Sequence, residues 1–163
     1  MSEVIIADTT PLIVLAKTGL LELLQRRFQD ITVPEAVYRE IMIGQDKAAE
    51  IIEKNLSWIH IKEIENKNSM SRFSPALHAG EVEAIILAEE LNAGLILLDD
   101  EAARKAAVAR GFQITGTLGL ILFFKQKGWI SSVNQVLDSL ELAGFYVSKK
   151  LRKIILNQAG ELK

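Results

Sequence analysis

At 163 residues, with 49% hydrophobic and 25% charged residues, the chain has the balance of one globular domain with a substantial core. It has no cysteine, which excludes disulfides, zinc–thiolate sites and cysteine nucleophiles. A net charge of −2 gives no global basic field of the kind that marks a non-specific nucleic-acid binder, although an enzyme that touches a few phosphates needs none.

In chain order, residues 4–7 form an apolar run that ends in Asp8 and reads as a buried strand. Thr9 or Thr10 can cap the helix that follows, Pro11 suits its first turn, and Gly19 breaks it. A short helix over 20–25 precedes a strand over 31–33. Pro34 opens a helix that ends near Gly44, and an amphipathic helix covers 47–55. Residues 58–64 alternate in part, as a third strand. The polar stretch 65–75 reads as an irregular loop. A strong helix covers 80–92, and 95–98 is a fully buried strand ending in Asp99-Asp100. A helix over 101–110 stops at Gly111, and a last strand covers 113–115. Helices over 117–127, 133–143 and 148–158 complete the chain. Met1-Ser2-Glu3 lacks the basic segment of a signal peptide, and no apolar stretch is long enough to span a bilayer. A cytoplasmic protein without membrane contact is expected.

Short apolar strands alternating with helices predict an α/β fold: a parallel sheet covered by helices on both faces. Functional groups then collect at the carboxyl ends of the strands. Asp8 follows the first strand, and Asp99 and Asp100 follow the fourth. Glu81 opens the helix between the third and fourth strands and heads a stripe formed by Ala84, Ile85 and Ala88, while Glu83, Glu89 and Glu90 are expected in solvent. Thr117 brings a hydroxyl to the same edge. Glu40 shares a face with Val33, Ala36 and Val37 and so points inward, but it lies nearly two turns into its helix, and pattern alone does not place it at that edge. Singly, each residue has a plainer role: Asp8, Asp99, Asp100 and Thr117 as caps, Glu81 as a partner of a helix dipole, Glu40 as a solvated carboxylate. Together, converging carboxylates need a cation. Oxygen-only ligands suit Mg²⁺ or Mn²⁺, and the reaction class that follows is metal-assisted phosphodiester hydrolysis. His60 and His78 have no partner at ligand spacing and are not assigned a role.

Asp8-Thr9-Thr10-Pro11-Leu12-Ile13 resembles the opening motif of PIN domains, the nuclease fold of many VapC-type toxins. Glu40, in the segment from Val33 to Ile41, resembles the family's second acidic position. Gly80-Glu81-Val82-Glu83-Ala84 resembles its third, and Leu97-Leu98-Asp99-Asp100 its fourth. Thr117 falls where the family often carries a site hydroxyl. The likeness covers most of the chain. It is greatest to the DUF3368 branch, through Gly-Glu-x-Glu-Ala, through Asp99-Asp100-Glu101-Ala102-Ala103-Arg104, and through Gly160-Glu161.

The resemblance implies a single domain over 1–163, a three-layer α/β/α sandwich with a short parallel sheet. It implies a Mg²⁺ or Mn²⁺ site on Asp8, Glu40, Glu81 and Asp99, with Asp100 as an extra ligand and Thr10 and Thr117 orienting ligands or water. It further implies cleavage of single-stranded RNA, frequent homodimers and, for the toxins, a small antitoxin protein as partner.

Two features depart from the pattern. Glu81 stands where many PIN nucleases have Asp, and no basic surplus is present. Arg39, Arg104, Lys105 and the run Lys149-Lys150-Leu151-Arg152-Lys153 are the candidates for phosphate contact, and that run reads equally as a solvated helix face. The competing reading is a non-enzymatic module that kept the fold and acts through protein contact. A phosphoacceptor receiver fits poorly, because the third strand runs into Glu65 and the fifth into Thr115-Gly116-Thr117. A haloacid-dehalogenase-type phosphatase lacks its second acid in Asp8-Thr9-Thr10. No Gly-x-Gly-x-x-Gly follows a strand, so dinucleotide binding is excluded.

Overall fold

A computed structural model describes residues 3–162. Its five strands are β1 (Ile5–Ala7), β2 (Ile31–Pro34), β3 (Ile59–Lys62), β4 (Leu95–Leu97) and β5 (Ile114–Thr115). All are parallel, in the order β3-β2-β1-β4-β5. The helices are α1 (Thr9–Lys17), α2 (Leu21–Phe28), α3 (Glu35–Ile43), α4 (Lys47–Glu53), α5 (Ala79–Leu91), α6 (Glu101–Ala109), α7 (Thr117–Gln126), α8 (Val133–Leu142) and α9 (Lys149–Gln158).

Side chains alternate along a strand, so neighbours in β1 enter different cores. Ile5 and Ala7 pack with α1, α4, α7 and α8 on one face of the sheet, together with Leu97 of β4. Ile6 packs with α5 and α6 on the other, together with Ile96 and Leu98. A sheet covered on both faces needs strands that are apolar throughout, which is why these runs are short and carry few polar residues. The result is the expected three-layer sandwich.

Strand ends differ from expectation by one or two residues, β3 most of all. The stretch taken as an irregular loop contains a 3-10 helix, Lys67–Arg72, whose start is held by the Asn66 side chain accepting the Asn68 N–H at 3.1 Å. Asp8, rather than Thr9 or Thr10, occupies the cap position of α1. Pro34 closes β2 and precedes α3 instead of starting it. Among the described residues, no helix is long and apolar enough to cross a membrane.

The Gly160-Glu161 motif has a structural explanation. Gly160 takes a positive φ of 74°, which turns the chain so that Glu161 faces the start of α8. Its carboxylate accepts the N–H groups of Val133 at 2.6 Å and Asn134 at 3.0 Å and pairs with Lys125 at 3.0 Å. This satisfies the open N–H groups of a helix end and ties the C-terminal segment to α7.

Candidate metal centre

Among the described residues, the buried polar or charged side chains are Asp8, Thr9, Glu81 and Thr117. All four lie at the carboxyl edge of the sheet. Burying polar groups is unfavourable, so their confinement to one edge marks that edge as special.

Asp8 directly follows β1, and its N–H bonds Leu97 O at 3.0 Å. That bond carries the β1–β4 pairing one residue beyond the strand and sets Asp8 beside the end of β4. Asp8 is 5% exposed and its carboxylate makes no capping hydrogen bond into α1 beyond the adjacent Thr9 N–H, so the ordinary capping role does not explain it. Its pKa is pushed up to about 7 from 3.8. Desolvation is the main cause. The Thr9 N–H opposes it, and the charges of Glu81, Glu40 and Asp99 add to it.

Glu81, also 5% exposed, sits in the first turn of α5 and accepts the His78 N–H at 2.8 Å. Desolvation raises its pKa, the His78 N–H lowers it, and the facing carboxylate of Asp100 raises it again. Asp99 accepts two bonds from Thr117, the N–H at 2.8 Å and the hydroxyl at 2.6 Å. Desolvation raises the Asp99 pKa against those bonds and against the Arg104 guanidinium. Thr117 is fully buried, so it holds Asp99 in one orientation.

The Asp-Asp-x-x-Ala-Arg run now resolves into separate tasks. Asp99 faces the site. Asp100 is exposed and caps α6 by accepting the Ala103 N–H at 3.0 Å. Ala103 is buried in the core. Arg104 turns back to donate to Leu98 O at 3.0 Å, beside Asp99. Gly116 leaves room for this arrangement: a Cβ there would come within 2.7 Å of both Asp99 Oδ1 and Arg104 Nη1.

Glu40 differs from its expected inward placement. It is an exposed residue of α3 whose carboxylate reaches back to the site and accepts the Thr9 hydroxyl at 2.8 Å. A Cβ at Gly80 would lie 3.3 Å from Glu40 Oε2 and 3.6 Å from Asp8 Oδ1, so the bare glycine floors the space where these two acids approach each other. Thr10 is exposed and its neighbour Thr9 is the residue that touches a site carboxylate. Helical phase carries this signal, because Thr9 shares the buried stripe of Leu12 and Ala16. Glu83, expected in solvent, accepts the Ala36 N–H at 3.2 Å and so caps α3. Glu89 and Glu90 do face solvent.

The donors fit a hard divalent cation in kind: all are oxygens, most are carboxylates, and the most buried of them carry raised pKa values that a positive charge would reverse. Among the described residues, no three acidic or imidazole side chains already stand as a complete ligand group. His60 pairs with Asp30 at 2.8 Å, away from this edge.

A parallel sheet with an acidic carboxyl edge is the architecture found in PIN domains, a nuclease-type fold whose members are generally nucleases and typically use divalent metals. The chain belongs to the DUF3368 family of PIN domains, whose model matches residues 4–161. Among solved structures it is similar to a domain of a functionally unknown protein from Methanocaldococcus jannaschii DSM 2661. The identity there is 18% and the TM-score 0.46, over 71% of this chain and 91% of that one. No curated protein matches the chain.

Proposed function

We propose that this chain is a Mg²⁺- or Mn²⁺-dependent endoribonuclease that hydrolyses phosphodiester bonds of single-stranded RNA. The observation that carries the reading is Asp8: a buried carboxylate, free of capping duty, pushed up to about 7 with three further acids acting on it. Such a group is poorly placed in a merely structural role and well placed to receive a cation.

Asp8, Glu40, Glu81 and Asp99 would hold the ion, with Asp100 as an additional carboxylate facing Glu81. A divalent ion there supplies neutralisation of phosphate charge and a lowered pKa for water. The protein's own part is positional. Thr117 fixes both oxygens of Asp99. Thr9 fixes Glu40. The His78 N–H fixes Glu81. Near neutrality Asp8 carries a proton part of the time, and gives it up as positive charge enters the site.

The test is incubation of the purified chain with single-stranded and duplex RNA in Mn²⁺ or in EDTA. Cleavage of the single strand in Mn²⁺, suppressed by EDTA, is the expected result. Intact RNA in Mn²⁺ would overturn the reading in favour of a module that acts by protein contact.

A further inference from the structure

A second feature lies along α7, outside the acidic edge. Arg27, in the last turn of α2, is half-buried. Its guanidinium carbon stands 3.8 Å over the Phe123 ring and 4.6 Å over the Phe28 ring. Burial lowers its pKa. Its neighbour in the same cavity wall, Lys125, is engaged by Glu161 and by Ser131 O. Arg152 on α9 likewise binds Asp138 and Glu141. Arg27 has no such carboxylate among the described residues.

An arginine can cover aromatic surface with its stem and keep its head in water. Here the guanidinium itself lies over the Phe123 and Phe28 rings, a cation–π contact that accounts for its position. It does not use the N–H donors, which have no hydrogen-bond acceptor among the described residues and stand at the wall of a cavity, where an oxyanion can accept them.

That cavity, of about 590 Å³, is lined by Arg27, Thr115, Gly119, Phe123, Gln126 and Gln158, among others. A second, of about 560 Å³, is lined by Asp99, Arg104, Thr115, Gly119 and Tyr146, among others. Thr115 and Gly119 line both, so the two cavities lie side by side along α7, one beside Asp99 and the other beside Arg27. The bare Gly119 lets the Thr115 side chain pack against α7 between them, since a Cβ there would come within 2.5 Å of Thr115 Oγ1. From Gly119 to Gln126 the cavity beside Arg27 follows α7 for about 10 Å at the helical rise of 1.5 Å per residue.

We infer that these adjoining cavities together form a groove that is the track of the RNA strand, and that Arg27 binds a phosphate of the strand away from the one that is cleaved. The inference rests on the ribonuclease reading above. A planar fork of donors suits a phosphodiester oxygen pair, and a groove leading away from the acids carries the rest of the strand clear of their negative charge. One built phosphate contact also answers how a chain of net charge −2 attracts RNA.

The test measures binding of a short labelled single-stranded RNA by fluorescence anisotropy, in EDTA so that nothing turns over, over a series of salt concentrations. Arg27→Met keeps an apolar stem against Phe123 and removes the charge. It is expected to weaken binding about tenfold and to reduce the slope of log affinity against log salt by about 0.7, the value for one phosphate on a single strand. Arg27→Lys should restore the slope and part of the affinity. Lys54→Met, at the residue that follows α4 and lining neither cavity, should change neither. Arg27→Gln replaces Arg27→Met if the latter fails to melt cooperatively. Wild-type affinity and slope in the charge-removing variant, with RNA still cleaved in Mn²⁺ by the unaltered chain, overturns the phosphate subsite and leaves the nuclease reading standing. An equal loss in Lys54→Met also overturns it. Absence of both binding and cleavage in the unaltered chain overturns the nuclease reading and the subsite with it.

Discussion

Asp8→Asn is expected to stabilise the metal-free protein at pH 8 and to leave its stability unchanged near pH 3. The sign follows from protons bound. Between 3.8 and about 7 the folded state keeps a proton on Asp8 that the unfolded chain has released. Stability therefore falls as pH rises through that window and is flat above it. The gap corresponds to about 4 kcal/mol as an upper value, at 1.36 kcal/mol for each tenfold change in the proton equilibrium. Asn carries no charge to desolvate, so the variant escapes the loss. For a domain of this size the gain is about 10 °C in melting temperature, read by thermal melts in EDTA at the two pH values. An ordinary capping aspartate behaves in the opposite way, since its removal costs about 1 kcal/mol at neutral pH. A lower melting temperature for Asp8→Asn at pH 8 would therefore contradict the placement of Asp8 in a desolvated acidic pocket.

Glu81→Gln is expected to lower Mn²⁺-dependent RNA cleavage by about 10³-fold while the fold persists. The substitution keeps the size of the side chain and leaves an oxygen to accept the His78 N–H, so α5 retains its first turn. It removes one negative charge from the ion's environment, and a metal contact of this kind is worth several kcal/mol of transition-state stabilisation. Glutamate rather than aspartate at this position is accommodated by the protein itself: the extra methylene lets the Glu81 carboxylate reach back to the His78 N–H while still facing Asp100. Initial rates at saturating Mn²⁺, with circular dichroism to confirm the fold, measure the effect. Activity within a few-fold of the unaltered chain would remove Glu81 from the site.

Much of the fold was legible because its strands are buried on both faces. The runs ending at Ala7 and Leu98 are apolar without alternation, and the acid after each marks where the sheet stops. Strand order was not legible. The pairing of β1 with β4 across several intervening elements is a property of the packed layers and leaves no local trace. The carboxylates after the strand ends were visible through that placement, whereas Glu40 came only from family resemblance. Its link to the site is the hydrogen bond that it accepts from the Thr9 hydroxyl, and helical phase places Thr9 on the buried stripe of α1, one turn before Leu12. Glu83 was misread for a different reason. From Gly80 to Ala88 nearly every residue of α5 is buried or partly so, so periodicity gives no outward face against which to judge it. The 3-10 helix at Lys67–Arg72 was missed because a six-residue polar segment shows no hydrophobic repeat. Arg27 was hidden by ending α2 at Gln25, when the helix continues to Phe28 and carries both stacked arginines, Arg26 and Arg27.

The claim that the acidic edge is a divalent cation site is tested most directly by calorimetric titration of the metal-free protein with Mn²⁺ at pH 7, repeated in buffers of different ionisation enthalpy. With the Asp8 pKa at about 7, roughly half a proton should leave the protein for each binding event, because a carboxylate must be deprotonated to act as a ligand. The observed heat should then vary with the buffer, and both the binding and the proton release should be lost in Asp8→Asn. Binding in the unaltered chain with no dependence on buffer, equal binding in the variant, or no heat up to millimolar Mn²⁺ would contradict the account.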